Sequence, residues 1–143
     1  MDYNNLHYFG ETRRPGTGHD KTWEYYVTPD AEIYRCKSEA PDHFITTKTY
    51  ITARSQRNPD GYYAVASKHL PEKYLHRIVA KVFVYNDDPI NKTDVDHIDG
   101  NKHNNLPSNL EWVTKSENQR RWHQRRRDEG KVWRGRMGDK KNN

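Results

Sequence analysis

The sequence has a single cysteine, Cys36, among its 143 residues. One cysteine excludes an intramolecular disulfide and a structural zinc site built on cysteines, so any bound metal must be held by His, Asp, Glu or Asn. Long apolar runs are also missing, and none approaches the ~20 residues that a membrane-spanning helix needs. The first residues lack the basic and apolar regions of a signal peptide. These absences predict a cytoplasmic protein that makes no contact with a membrane.

Strong core-forming residues are few. Leu, Ile, Val and Phe together make up about 15% of the chain, below the ~20% at which disorder becomes a concern. Most of them lie between Tyr62 and Val113. This distribution excludes a large uniform core, and it predicts one small domain whose order is greatest at its centre.

Charge is concentrated at the C-terminal end. The chain has 25 Lys and Arg residues against 20 Asp and Glu residues, which gives a formal net charge of +5. Residues 119–143 alone carry a net charge of +7, so residues 1–118 are slightly acidic. A basic run of this kind is typical either of a solvated helix face or of a stripe that binds phosphates.

The first half of the chain is β-prone. Residues 1–22 mix Gly, Pro, Arg and Thr without periodicity, which predicts an irregular lead-in. Residues 23–70 contain aromatic and β-branched stretches separated by turn signals. The stretch WEYYVTPDAEIYRCK predicts a β-hairpin that turns at Pro29, and further strands are expected within 44–53 and 62–68. Residues 23–70 therefore predict a small antiparallel β module.

The centre of the chain predicts a helix, a hairpin and a second helix. Apolar residues between Leu75 and Phe83 recur at helical spacing along one face. Alternating apolar and polar residues near Val95 and from 110 to 113 predict two strands joined by a long loop. The sequence Thr114-Lys-Ser-Glu117 is a capping box, which predicts that a helix begins there. Residues 71–127 thus form one predicted unit, and residues 128–143 a basic, disordered tail.

The stretch VDHIDGNKHNNLPSNLEWVTKSENQ resembles the HNH nuclease motif of phage homing endonucleases, and the preceding LHRIVAKVFV resembles the lead-in helix of that family. The resemblance covers residues 75–122. It implies an α+β fold in which a small N-terminal antiparallel β module precedes a ββα-metal (HNH) nuclease unit and a basic C-terminal helix and tail. The chain departs from the name-giving motif at its third position, where Asn118 replaces His.

The resemblance also implies roles for four residues. His97 is implied as the general base, since a neutral imidazole can accept a proton near pH 7. Asn109 is implied as the residue that orients His97. Asp96 and Asn118 match the metal-ligand positions, an oxygen-only pair that suits one hydrated Mg²⁺ or Mn²⁺.

Other polar residues near this motif are expected to be structural. Asn101, Asn104 and Asn105 are interpreted as loop formers, because Asn tolerates left-handed turns and bonds nearby backbone groups. Asp99 is interpreted in the same way. His76, beside the apolar face of the predicted helix, is also expected to be structural.

Arginines are the candidate contacts to double-stranded DNA. Contacts from Arg to phosphates give affinity and register rather than sequence choice. The candidates are Arg77, Arg120, Arg121, Arg125, Arg126 and Arg127. The β module over residues 23–70 is a further candidate for DNA contact, and the arginine-rich helix keeps the solvated-face alternative.

The leading hypothesis is a metal-dependent DNA endonuclease that acts as a monomer and nicks duplex DNA. The alternative is a non-catalytic DNA-binding or packaging-accessory protein that retains the nuclease fold. Retention of Asp96, His97, Asn109 and Asn118 together favours catalysis. A third possibility, an RNA-binding module built on the tyrosine-rich sheet, lacks any recognised RNA motif.

Overall fold

The computed structural model describes residues 3–14, 21–52, 61–67 and 69–130. Eight strands and two α-helices are assigned in these ranges, with short 3₁₀ turns at Tyr3–Asn5 and Pro107–Asn109. The strands are β1 His7–Arg14, β2 Lys21–Val27, β3 Ile33–Lys37, β4 Ile45–Thr46, β5 Thr49–Ile51, β6 Tyr63–Val65, β7 Asp94–His97 and β8 Leu110–Val113; the helices are α1 Leu75–Phe83 and α2 Lys115–Asp128. Residues 131–143, most of the predicted disordered tail, lie outside the described residues.

The N-terminal lead-in contains a strand, which corrects the prediction that residues 1–22 are irregular. β1 pairs antiparallel with β2 from His7 opposite Val27 to Arg14 opposite Lys21. The register shifts between Tyr8 and Gly10, as in a β-bulge. The local sequence HYFGETRR lacks a clear apolar alternation, so the pairing with β2, rather than local propensity, determines this strand.

The β module forms two sheets. The predicted hairpin is present as β2 and β3, and its turn places Ala31 at a φ of 63°. The predicted strand over 44–53 is divided, because β4 pairs with β3 whereas β5 pairs with β6. The first sheet has the order β1-β2-β3-β4, and β5 and β6 form a separate two-stranded sheet.

Helix α1 links the β module to the second half of the chain. Its predicted bounds are confirmed, and its apolar face buries Leu75, Ile78 and Val79. The same hydrophobic cluster includes Val27 of β2 and Val95 of β7. One core therefore supports both halves of the described structure.

The ββα unit follows the predicted order. β7 and β8 pair antiparallel from Asp94 opposite Val113 to His97 opposite Leu110. The Thr114 hydroxyl oxygen accepts a hydrogen bond of 3.1 Å from the Glu117 amide, so the predicted N-cap of α2 is confirmed. Helix α2 has no buried residue, and polar contacts with β7 dominate its attachment. In the described residues, no helix is long and apolar enough to span a membrane.

Candidate active site

Strand β7 presents its side chains in two directions. Successive side chains of a strand point to opposite faces, so Asp94 and Asp96 share one face while Val95 and His97 share the other. Val95 belongs to the core, whereas Asp94 and Asp96 both contact α2. Asp96 and His97 are 4% and 5% exposed. The two residues are therefore fixed in orientation by burial at the end of one strand.

His97 is held by an asparagine of the loop between β7 and β8. Its Nε2 lies 2.8 Å from Oδ1 of Asn105, which is also buried. Because a carbonyl oxygen only accepts, this contact favours the tautomer with the proton on Nε2 and leaves the Nδ1 lone pair as the proton acceptor. Burial lowers the pKa of His97, and it outweighs the opposing effects of Asn105 and Asp96. The imidazole is therefore neutral at pH 7.

Asn109 does not orient His97, which corrects the role implied by the resemblance. Its Nδ2 donates to Asp99 Oδ1 at 2.9 Å and to the Asn104 carbonyl at 2.8 Å, and its Oδ1 accepts from the Asp99 amide at 3.0 Å. These bonds close the loop that carries Asn105. Asn109 thus stabilises the loop, and Asn105 makes the contact with the ring.

Sequence reasoning missed Asn105 and interpreted it as a loop former. The loop between β7 and β8 contains four asparagines, and the sequence gives no signal for which of them faces the histidine. Asp99 is structural, as expected. It accepts hydrogen bonds from the Asn101 amide at 2.8 Å and from the Asn104 amide group at 3.1 Å, and these bonds lower its pKa.

Two arginines of α2 occupy the Asp96 carboxylate. Arg125 donates from Nη1 to Oδ1 at 2.9 Å and from Nη2 to Oδ2 at 2.8 Å. Arg121 donates to Oδ2 at 3.2 Å and is itself held by Glu111 at 2.6 Å. Burial would raise the pKa of Asp96, but the hydrogen bonds from Arg125 and Arg121 outweigh it and lower the pKa below its ordinary value.

Asn118 lies on the same side of β7 but contacts a different carboxylate. Its Nδ2 donates to Asp94 Oδ2 at 3.3 Å, while Lys115 approaches the other oxygen of Asp94 at 3.5 Å. Because the amide nitrogen of Asn118 is turned to Asp94, its Oδ1 is directed away from that carboxylate and keeps lone pairs suited to a cation.

The donor types fit a hard divalent cation. A carboxylate from Asp96 and an amide oxygen from Asn118 are the ligands that Mg²⁺ and Mn²⁺ prefer. In the described ranges, no three or more His, Cys, Asp or Glu side chains form a group that could hold a metal ion. Any ion at this pair would therefore need water or phosphate oxygens to complete its coordination.

A second histidine lies against His97. The His76 ring is 4.5 Å from that of Tyr62, in a stacked arrangement, and 5.1 Å from that of His97. Burial, followed by repulsion from the protonated form of His97 and from Arg77, lowers the pKa of His76 to about 3. His76 and Tyr62 also line a cleft of about 380 Å³ that reaches Asp94 and Asn118. The expectation that His76 is structural agrees with this packing.

The other candidate DNA contacts are either half-buried or exposed. Arg77 donates to Glu72 at 2.8 Å and to the Thr93 carbonyl at 2.9 Å, so it ties α1 to neighbouring segments. Arg120 and Arg127 are exposed on α2, and Arg126 lies over the ring of Trp122 at 4.8 Å. Only Arg121 and Arg125, among the six candidates, contact Asp96 in the described structure.

Comparison with known proteins identifies relatives of the motif. The profile described as HNH endonuclease matches residues 73–120. An uncharacterized HNH endonuclease of Acanthamoeba polyphaga mimivirus is 50% identical over 68 residues, covering 45% of this chain and 17% of that protein. A protein of the SPbeta prophage in Bacillus subtilis (strain 168), which carries the name of an HNH homing endonuclease, is 47% identical over 99 residues, covering 66% of this chain and 49% of that protein.

Among solved structures, the HNH homing endonuclease I-HmuI, described as binding and cleaving DNA, aligns with a TM-score of 0.49 at 29% identity. The alignment covers 76% of this chain and 55% of that one. The chain spans less than half the length of either sequence relative. Residues 73–120 of this chain are therefore similar to HNH endonucleases, and the two sequence relatives extend the similarity beyond those residues.

Proposed function

We propose that the chain is a DNA endonuclease that hydrolyses phosphodiester bonds with His97 as the general base. One observation carries the proposal: a buried, neutral imidazole has its Nε2 fixed by Asn105 at 2.8 Å, beside a carboxylate at Asp96. A general base must be neutral at the working pH and fixed in orientation, and this ring meets both conditions. The match of residues 73–120 to the HNH endonuclease profile supports the same reaction class.

In the proposed reaction, Nδ1 of His97 takes a proton from a water molecule while the water oxygen forms a bond to phosphorus. The bond from phosphorus to the 3′ oxygen breaks, and the leaving 3′ oxygen takes a proton from solvent water, so the products carry a 5′-phosphate and a 3′-hydroxyl. Asn105 keeps the ring in the tautomer that accepts the proton. Arginines near Asp96 are positioned to attract the negative charge of the phosphate, since guanidinium groups pair well with phosphate oxygens.

Metal dependence is part of the proposal. Asp96 and Asn118 would hold one divalent ion, Mg²⁺ or Mn²⁺. The chemistry that such an ion supplies is neutralisation of the charge that develops on the leaving oxygen. Asp94 contributes by holding the amide nitrogen of Asn118, which leaves the amide oxygen for the ion.

The proposed substrate is double-stranded DNA, and the proposed product is a nick. One chain carries one candidate base, so one strand is cut in each encounter unless two chains act together. The exposed Arg120 and Arg127 of α2 are proposed contacts to the DNA backbone. Such contacts supply affinity that decreases as the salt concentration rises.

The test is cleavage of a supercoiled plasmid in Mg²⁺ or Mn²⁺, with each product strand mapped. The wild-type chain is expected to convert supercoiled plasmid to the open circle. His97→Ala should reduce the rate at least ~100-fold, the usual contribution of a general base, without weakening DNA binding in a gel-shift assay. His43→Ala, which removes an exposed histidine, is the matched control. Cleavage by His97→Ala at the wild-type rate would refute the assignment.

A second candidate is DNA binding without cleavage. The observation in its favour is that guanidinium groups, rather than open space, surround the Asp96 carboxylate. Binding of the plasmid without cleavage in either metal would support this candidate over the first.

A further inference from the structure

The Asp96 carboxylate lies in a network that satisfies it without any ion. Arg125 binds both of its oxygens, and Arg121 adds a third hydrogen bond. Arg125 also donates to the backbone carbonyls of His97 at 2.9 Å and Ile98 at 3.4 Å. The arginine is therefore fixed at several points by other residues of the chain.

A glycine next to this network leaves room for the Arg125 side chain. Gly100, at a φ of 76°, lies beside it, and a Cβ at that position would approach Arg125 Cδ to 3.2 Å. On the other side of Asp96, Glu111 accepts from both Nη atoms of Arg121, at 2.6 and 3.4 Å. Two arginines and two carboxylates thus form a charge-neutral group.

This group is unfavourable to a divalent cation. Two guanidinium charges lie within hydrogen-bond distance of the one carboxylate in the candidate ion-binding pair, and like charges repel most strongly where water is excluded. Since Asp96 is 4% exposed, screening by solvent is weak there. An ion can use the carboxylate only if the arginines move.

We propose that Arg121 and Arg125 occupy Asp96 in the free protein and transfer to DNA phosphates on binding, so that the ion-binding pair becomes available only on DNA. Phosphate oxygens can replace carboxylate oxygens as bidentate partners of a guanidinium. Helix α2 buries no residue, so the transfer leaves the hydrophobic core intact. The inference rests on the proposed function, and it adds a coupling between DNA and ion that the proposed function does not require.

The test measures Mn²⁺ affinity by the electron paramagnetic resonance signal of free Mn²⁺, so it needs no catalysis. Arg125→Gln removes the charge and keeps the side-chain length, and it should raise Mn²⁺ affinity at least tenfold in the absence of DNA. Arg121→Gln should have a smaller effect in the same direction. Lys92→Gln, which removes a positive charge that pairs with Asp87 rather than with Asp96, should leave the affinity unchanged.

Two further measurements define the site. Asp96→Asn, added to Arg125→Gln, should abolish the gain if the ion binds at that carboxylate. A short duplex with phosphorothioate linkages that resist hydrolysis should raise the Mn²⁺ affinity of the wild-type chain at least tenfold, and it should raise that of Arg125→Gln much less. Circular dichroism checks that α2 persists, and Arg125→Lys, which keeps the charge but loses the bidentate contact, should give an intermediate affinity.

The outcomes separate this inference from the proposed function. If neither arginine variant raises Mn²⁺ affinity, or if the duplex leaves the wild-type affinity unchanged, the coupling is refuted even when the plasmid is cut in a His97-dependent manner. If the variants gain affinity at Asp96 but no plasmid is cut in any metal, the coupling stands and the nuclease proposal fails.

Discussion

Acidification is expected to destabilise the protein through His76. The side chain is 6% exposed, and its Nδ1 has no hydrogen-bond partner among the described residues. Burial lowers its pKa from 6.5 to about 3. The fold therefore accommodates the neutral ring and opposes its protonation, whereas the unfolded chain protonates it freely.

The direction and magnitude follow from proton linkage. The stability that His76 contributes is fully present above pH 6.5, and it is lost as the pH falls from 6.5 towards about 3, because only the unfolded state takes up the proton in that range. At pH 5 the loss is about 2 kcal/mol, from ~1.4 kcal/mol for each pH unit below the unfolded pKa. The pKa values of Asp96 and Asp99 are lowered from 3.8, so the loss of stability caused by their protonation occurs mainly below pH 3.8. These two residues therefore contribute little to the loss of stability at pH 5.

The assay is urea unfolding at pH 7.5 and pH 5.0. His76→Phe keeps an aromatic ring against Tyr62 and removes the titrating group. Between the two pH values, the free energy of unfolding of the wild-type chain should decrease by about 2 kcal/mol more than that of His76→Phe. His43→Ala, at an exposed site, should behave as the wild type. An equal decrease in the wild type and in His76→Phe would refute the reasoning.

Two other predictions concern the loop and α2. Asn105→Ala should lower the cleavage rate about 10- to 100-fold with unchanged DNA binding. Asn109→Ala should instead lower the free energy of unfolding by about 1–3 kcal/mol, because the loop loses the hydrogen bonds of the Asn109 side chain to Asp99 and Asn104. Urea unfolding and plasmid cleavage of both variants measure the contrast. Comparable loss of stability in the two variants would contradict the separate roles. Thr114→Ala removes the N-cap of α2 and should cost about 1 kcal/mol, measured by thermal unfolding, while Ser116→Ala on the exposed first turn should cost less.

The sequence predicted those elements whose signals are local. The bounds of α1 agree with the apolar spacing, because a single helix face meets the core. The capping box located the start of α2, because its hydrogen bond joins residues three positions apart. Strand β1 was missed because its partner β2 determines it, and no local pattern in the strand itself carries that information.

The sequence predicted several residues of the candidate site but not the hydrogen bonds between them. Asp96 and His97 follow from the motif, and the strand geometry separates their faces. The choice between Asn105 and Asn109 depends on how the loop closes through Asp99, which involves three-dimensional hydrogen bonding that residue spacing does not encode. The i, i+4 spacing of Arg121 and Arg125 indicated one shared face, but it did not indicate that this face meets a buried carboxylate.

The arginines of α2 lie in two different dielectric environments, and the proposed function uses both groups. Arg121 and Arg125 pair with a carboxylate that is 4% exposed, so added salt screens these ion pairs weakly and α2 stays attached to β7. Arg120 and Arg127 are exposed, so salt screens them strongly, and we expect their proposed contribution to DNA affinity to be lost first. The two interpretations of the basic run, a solvated face and a phosphate-binding stripe, therefore need not exclude each other. In our proposal, the outer arginines are solvated until DNA approaches, and the inner pair holds the candidate ion ligand until phosphates replace it.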